Sequence, residues 1–184
     1  DGIEAFSARQ DDAEAAFGLG FLTFAAGIED LAAAFYRHGF NPQRGIAVSP
    51  IFGLPTAPES TEVPQALAYG DFRTYLEEFV VTMDAAHDLL LAASEDRDFA
   101  VELDIMAIRI DIDGDGVAGA TESIGAFLAQ AGGMVPDLEL EDELDDMPLS
   151  FAFDAADAIW LAGYSQILAF NADFALAHEF GDFF

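Results

Sequence analysis

The sequence contains no cysteine and no lysine. Its 184 residues include 35 acidic residues against six basic ones, all of them arginine, and the formal net charge is −29. The absence of cysteine excludes disulfides, thiolate nucleophiles, zinc–thiolate sites and iron–sulfur clusters. The scarcity of cations excludes nucleic acid as a partner, because that affinity comes largely from Lys and Arg displacing counterions. An anionic membrane surface is disfavoured for the same reason.

Long uncharged runs are also lacking. The longest, such as Ala15–Ile28 and Ala158–Ala172, are shorter than the roughly 20 apolar residues that a membrane span needs, so the sequence predicts no membrane span. The charge does not indicate disorder, because 53% of the residues are hydrophobic and 18 are Phe, whereas disordered acidic chains are poor in aromatics. The length fits one domain, 1–184. Because the chain starts at Asp1 and not at Met, we expect an exported protein, periplasmic or secreted.

Apolar residues recur at spacings of three and four along much of the chain, which predicts an all-α fold of about five helices in a compact bundle. The last helix is apolar on two flanks, and we therefore expect it to be the central, most buried helix. Asp71 and Asp154 are the expected N-caps of the second and last helices. The third helix is expected to begin near Asp98, with Phe99, Leu103, Met106 and Ile110 on its inner face. The predicted helical segments are 12–37, 71–93, a helix–loop–helix unit over 98–131, and 154–179.

Two connecting segments differ in composition from the helices. The segment 39–70 holds five of the seven prolines, so no long helix can cross it. We expect an ordered excursion over the helices, with a short helical turn near Pro64–Tyr69, that acts as a packing loop or as a partner-binding arm. The segment 136–148 holds seven acidic residues and is expected to be an acidic linker or short helix. A docking segment for a basic partner and a diffuse second cation site are its alternatives.

One motif carries specific chemistry. The twelve residues from Asp111 to Glu122 read DIDGDGVAGATE and match the pattern D-x-[DN]-x-[DN]-G-x₅-E at every defining position. The loop therefore resembles the calcium loop of the EF-hand family. Four carboxylates in one short loop would repel one another without a cation.

The resemblance implies a ligand set for Ca²⁺, a hard cation that takes six to eight oxygens. Asp111, Asp113 and Asp115 would bind through their side chains, Val117 through its backbone carbonyl, and Glu122 through two oxygens. Gly116 would make the sharp turn, and a water would bind at the place of Gly119.

Two departures from the family pattern favour a structural ion over a signalling one. In the first, position 8 of the loop, usually Ile, Leu or Val, is Ala118, and no second loop of the same pattern occurs in the chain. In the second, the apolar stripe after the loop starts at Ile124 and not directly after Glu122. Extracellular modules of this kind bind calcium with a Kd of roughly 10⁻⁴–10⁻³ M, in contrast to roughly 10⁻⁷–10⁻⁵ M for sensors.

The sequence shows no nucleophile elbow, phosphate loop or dinucleotide fingerprint, and we expect no enzymatic activity. The leading hypothesis is a non-catalytic, calcium-binding helical protein that acts as a structural or interaction component of an extracytoplasmic assembly, with a protein partner or self-association. The alternative is a metalloenzyme or redox carrier with a metal in the bundle, using His87, which follows Asp84 by three residues, and His178. A calcium sensor with an apolar groove that opens on binding is a third hypothesis.

Overall fold

The computed structural model describes residues 6–7, 12–39, 63–105, 107–119, 122–123 and 150–184. Within these ranges the chain forms three long helices and one small antiparallel sheet. A 3₁₀ turn, Gly181–Phe183, follows the last helix. The long elements, in chain order, are α1 (Ala13–Arg37), α2 (Tyr69–Ala93), β1 (Val101–Asp104), β2 (Ser150–Phe153) and α3 (Ala155–Leu176).

Helix α1 lies where the periodicity predicts it. Asp12 is its N-cap and accepts the N–H of Glu14 (3.1 Å), which satisfies one of the unpaired amides of the first turn. Gly39, with φ of +78°, allows the chain to leave the helix in the left-handed conformation that glycine adopts without strain. The chain returns beside this end, because the N–H of Gln65 donates to the carbonyl of Arg37 (3.0 Å).

Helix α2 is the central helix of the three. It packs along both α1 and α3, whereas α1 and α3 meet in only a few places. Its inner positions Leu76, Met83, Ala86 and Leu90 are fully buried. Its N-cap is Ala68 and not the expected Asp71, which lies in the first turn, where an acidic side chain is favoured by the helix dipole.

Helix α3 is an outer helix, so the expectation that it is the most buried one is wrong. Its N-terminus is as predicted, because Asp154 and Asp157 form a capping box. One side packs against α2 with small residues and leucines, such as Ala158, Ala162 and Leu168. The other apolar flank, including Trp160 and Phe170, is exposed.

The prediction of about five helices in an all-α bundle is wrong, because the region expected to form the third helix contains strand β1. Val101 pairs with Phe153 and Asp104 with Ser150 in an antiparallel ladder. Val101 and Leu103 pack against the core, so the apolar pattern here has a period of two and not of 3.6 residues. A short apolar segment is compatible with either period, and β-branched residues favour the strand.

Several predicted segments lie wholly or largely outside the described residues. These are most of the excursion 39–70, the helix expected after the acidic loop up to residue 131, and the acidic linker 136–148. At the end of the excursion, residues 63–68 contain no helical turn, and helix α2 begins at Tyr69.

Helix α1 is the one described helix that is long and apolar enough to cross a membrane. This is weak evidence for a span, because 67% of its apolar window is buried within the fold, as in the core helix of a soluble protein. The ring centroids of Phe99 and Phe153 each lie 5.6 Å from that of Phe17 on α1. The apolar surface of α1 is therefore in contact with aromatic side chains of the same chain.

Close packing of α1 on α2 depends on glycine. A Cβ added at Gly20 would lie 2.8 Å from Cγ of Leu90 and 3.2 Å from Cβ of Leu89. We predict that Gly20→Ala lowers the free energy of unfolding by about 1–3 kcal/mol, the usual cost of overpacking. The matched control is Gly70→Ala in the first turn of α2, where nothing lies within 4 Å, and this change should stabilise the protein by up to about 1 kcal/mol through helix propensity. Urea unfolding of both variants measures the difference, and a stabilised Gly20→Ala protein would show that α1 and α2 are not in close contact there.

Candidate metal site in the acidic loop

The acidic loop, Asp111–Glu122, is held against the helices by alternate residues. Ile110 and Ile112 are buried in the core formed by the three helices, while Asp111 and Asp113 between and after them are only partly buried. This alternation is that of an extended chain, in which successive side chains point to opposite sides. The backbone that carries Asp111 and Asp113 is therefore anchored in the core by the neighbouring isoleucines.

The two ends of the loop are joined by backbone pairing. Arg109 and Ser123 form an antiparallel bridge, and the N–H of Ile110 donates to the carbonyl of Glu122 (2.9 Å). The guanidinium of Arg109 donates to the carbonyl of Ala118 (3.3 Å). The segment before the loop is thus a strand and a bridge, and the helix that the EF-hand resemblance implies on this side is not observed.

The structure brings three of the predicted ligands together. Asp111, Asp113 and Asp115 each offer a carboxylate oxygen, and these oxygens lie within 4.8 Å of one another. Oxygens bound to one Ca²⁺ at 2.3–2.6 Å can lie no more than about 5 Å apart. The triplet is therefore compact enough to share one cation.

Backbone amides orient these carboxylates. Asp111 accepts the N–H groups of Gly114 (2.8 Å) and Asp115 (3.1 Å) on Oδ1 and that of Gly116 (2.8 Å) on Oδ2. Asp113 accepts the N–H of Asp115 (3.1 Å) on Oδ1. The turn needs positive φ at Gly114 (+73°) and Gly116 (+88°), which glycine supplies without strain.

The other two predicted ligands are placed differently. The N–H of Val117 donates to Oδ1 of Asp115 (2.7 Å), and its side chain is exposed. Glu122 is only 6% exposed and lies outside the aspartate triplet. Its Oε1 accepts the N–H of Ile112 (3.0 Å) and its Oε2 that of Gly119 (2.7 Å). In the structure Glu122 therefore acts as a clamp across the loop, and its role as a bidentate ligand stays a prediction.

Glu29 on α1 belongs to the same acidic environment, although the motif does not include it. Burial raises the pKa of the Glu29 carboxyl above its ordinary value of 4.5, and the charges of Asp111, Asp30 and Glu122 raise it further. A hydrogen bond from the backbone N–H of Asp111 acts in the opposite direction. Glu29 is 82 positions before Asp111 in the sequence, so only the packing of the loop on α1 could reveal it.

The pKa of the Asp113 carboxyl is raised as well. Burial raises its pKa above the ordinary value, and the neighbouring charges of Asp115 and Asp111 add to this effect. The N–H of Asp115, which donates to this carboxyl, lowers the pKa. Both pKa values are raised mainly because burial disfavours the charged carboxylate, and the neighbouring carboxylates act in the same direction.

The two histidines of the alternative hypothesis lie apart from this site. Nδ1 of His87 contacts the carbonyl of Ala162 (3.0 Å), and Nδ1 of His178 contacts the carbonyl of Phe174 (2.7 Å) on its own helix. In the ranges that the structure describes, the aspartate triplet is the one group of three or more metal-ligating side chains.

Comparisons of the chain with protein-family models, with curated proteins and with solved structures found no match. The class of protein and the chemistry of the site therefore follow from the fold and the loop alone. In the part of the chain that the structure describes, they define a fold of three helices and one small sheet with an acidic loop whose three aspartates could hold a cation.

We predict that Glu122→Gln destabilises the protein even without metal. One oxygen of the carboxylate would become an NH₂ group facing an N–H donor, either that of Ile112 or that of Gly119. A buried donor left without an acceptor costs about 1–3 kcal/mol. Thermal unfolding in EDTA measures this effect, with Glu102→Gln as the control, because Glu102 is an exposed carboxylate on β1. Equal unfolding temperatures for the two variants would contradict the clamp.

We predict that Glu29→Gln stabilises the metal-free protein at neutral pH. The folded-state pKa of Glu29 is raised, so the stability that its protonation contributes is fully present below the unfolded-state pKa and is lost as the pH rises through the folded-state pKa. Gln keeps an oxygen for the N–H of Asp111 and removes the charge. The gain should not exceed about 1 kcal/mol, since the carboxyl is partly exposed.

The pH dependence distinguishes the stabilisation by Glu29→Gln from the general effect of removing one negative charge from an acidic protein. The gain in stability from Glu29→Gln should vanish below about pH 4, where Glu29 is already protonated. The control is Glu95→Gln, which removes one negative charge from an exposed position and should not give this gain. Chemical denaturation from pH 3.5 to 8 in EDTA provides the measurement. A variant that is less stable than the wild type at neutral pH would show that Glu29 is not in the repulsive environment of the loop.

Proposed function

We propose that this protein is a non-catalytic, calcium-stabilised structural or interaction component, and that the acidic loop holds the ion. The observation that carries the proposal is the convergence of the Asp111, Asp113 and Asp115 carboxylates to within 4.8 Å on a loop anchored in the core. A hard cation with flexible, all-oxygen coordination suits this donor set better than a metal that prefers nitrogen or sulfur.

The size and charge of the donor set support calcium over other hard cations. Mg²⁺ demands near-ideal octahedral geometry at 2.0–2.1 Å and gives up its waters reluctantly, whereas Ca²⁺ accepts irregular sets of six to eight oxygens. The three aspartates, the predicted carbonyl of Val117 and waters on the exposed side would supply such a set. Glu122 would keep the loop closed and add oxygens if its carboxylate turns inward.

The expected effect of the ion is to brace the fold. The loop contacts α1, since a Cβ at Gly114 would lie 3.5 Å from Cβ of Ala33. Its N-terminal end is anchored in the core by the buried side chains of Ile110 and Ile112. A cation bound there relieves the repulsion among the loop carboxylates and Glu29. It also offsets part of the net charge of −29, which opposes the compact state by self-repulsion. We propose a Kd in the range of extracellular modules, roughly 10⁻⁴–10⁻³ M, which would suit the extracytoplasmic location that we propose with the function.

We predict that 10 mM Ca²⁺ stabilises the protein relative to EDTA by about 1.4–2.7 kcal/mol, the linkage free energy at ten to one hundred times the Kd. This corresponds to a rise in Tm of several degrees for a chain of this size. Asp113→Asn should raise the Kd for calcium tenfold or more, because it removes one charged ligand. Calorimetric titration with Ca²⁺, at constant ionic strength, measures the Kd directly.

Two controls make the result specific. Asp88→Asn removes the same charge from an exposed position on α2 and should leave the Kd unchanged, and Mg²⁺ at the same concentration should stabilise the protein much less than Ca²⁺. The proposal is wrong if calcium leaves Tm unchanged, or if both asparagine variants weaken binding equally. In the second case the ion binds only to the general negative charge of the chain.

A further inference from the structure

The outer face of α3 presents a continuous stripe of apolar residues to solvent. We call Trp160, Gly163, Ile167, Phe170 and Phe174 the α3 stripe. Trp160, Ile167, Phe170 and Phe174 are 64%, 57%, 64% and 59% exposed, and Gly163 is exposed as well. Most large apolar side chains of a soluble monomer are covered, and a contiguous exposed patch of them indicates an interaction site.

The spacing of the stripe is that of a helix–helix seam. Its residues follow one another at intervals of three, four, three and four positions, the pattern by which one helix packs lengthwise against another. Gly163 lies between the large side chains, where a glycine lets a second helix approach closely. The opposite side of α3 is already occupied by α2, so the helix has two apolar seams, and the elements that the structure describes cover one of them.

Charge determines which kind of partner fits. The stripe has no charged residue, and the whole of α3 contains only Asp157 and Asp173 as ionisable groups apart from Tyr164. A basic partner would be recognised by carboxylates, and this face offers none within the seam. An uncharged apolar seam is matched by another uncharged apolar seam.

The exposed area is close to what a symmetric pair requires. A large aromatic side chain buries about 150–250 Å², so the exposed fractions of the stripe and of Ile159 beside it correspond to about 600 Å² on one copy. Two copies would bury about 1,200 Å² in total, the lower end of the range for specific interfaces. A second copy of the chain necessarily carries the same seam, as a two-fold symmetric interface demands.

We propose that the α3 stripe is the interface of a homodimer, in which α3 of one copy packs against α3 of the other. This assigns a partner that is independent of the acidic loop, because no residue of the stripe belongs to that loop. The net charge of −29 opposes the association of two copies, and the uncharged seam is the place where they can meet at least cost. Dimerisation should therefore become stronger as salt screens the repulsion between copies.

Trp160 provides a direct readout, since it is the one tryptophan of the chain. Sedimentation velocity from 1 to 200 µM, in 0.1 and 1 M NaCl, should show a monomer–dimer equilibrium that shifts towards the dimer at high salt. Over the same concentrations, Trp160 emission should shift to shorter wavelength as the ring leaves water. Both measurements are made in calcium and in EDTA, so that a failure of the calcium site and a failure of the interface can be told apart.

We predict that Phe170→Glu raises the dimer dissociation constant about 30-fold or more, because aromatic residues near the centre of an interface are typical hot spots. Phe170 is exposed, so the substitution leaves no cavity in the monomer, and circular dichroism and Tm at 1 µM should match those of the wild type. The matched control is Val81→Glu, an exposed apolar position on α2, which should leave the dissociation constant unchanged.

Three results would overturn the proposal. The first is a wild-type protein that stays monomeric at 200 µM in 1 M NaCl with Trp160 emission typical of an exposed ring. The second is a monomer whose Trp160 is protected from quenching by acrylamide, a neutral quencher that the net charge does not repel, which would mean that other parts of the same chain cover the stripe. The third is a dimer that Val81→Glu weakens as much as Phe170→Glu does, since the interface would then lie elsewhere.

Discussion

The acidic loop keeps its shape because two isoleucines on its backbone are buried among the three helices. Ile110 and Ile112 enter the core on one side of an extended segment, and this fixes where the carboxylates of Asp111 and Asp113 stand on the other. Hydrophobic burial is worth about 1.5–3 kcal/mol for a side chain of this size. It is large enough to hold like charges closer together than they would stay in a free chain. Burial is the main cause of the raised pKa of Asp113, and the charges of Asp115 and Asp111 add to it.

This anchoring explains how a loop with this pattern of aspartates can form where the described residues before it contain a strand and no helix. In a helix–loop–helix unit the entering helix orients the first ligand, whereas here the strand β1, the bridge between Arg109 and Ser123 and the buried isoleucines do so. The clamp from Glu122 to the amides of Ile112 and Gly119 holds the far end. The loop depends on local hydrogen bonds and on the core, and the pattern of its twelve residues is compatible with more than one kind of flanking structure.

The long helices could be predicted from the sequence, because their apolar periodicity extends over more than 20 residues. Of the two expected N-caps, Asp154 is confirmed and Asp71 is wrong. The strand β1 could not be predicted, because Phe99, Leu103 and Ile110 fit a helical period as well as Val101 and Leu103 fit an alternating one, and the pairing that decides between them comes from Phe153, about 50 positions away. The position of α3 at the outside of the fold could not be predicted from the sequence either. Two apolar flanks indicate two contacts, but the periodicity does not distinguish a contact inside the fold from one with another molecule.

For the site, the pattern D-x-D-x-D was sufficient to predict that three carboxylates converge, since alternate residues of a tight turn face one point. It could not reveal Glu29, which reaches the loop only through tertiary packing, nor the hydrogen bonds of Glu122 to loop amides. The same excess of negative charge acts on both proposals in opposite ways. At the loop, concentrated carboxylates favour a divalent cation, whereas at the α3 stripe the lack of any charge adds no local repulsion to that which the net charge imposes on a second copy. A chain with a net charge of −29 can associate with itself most easily through a face that has no part in that charge, and the uncharged outer seam of α3 is such a face.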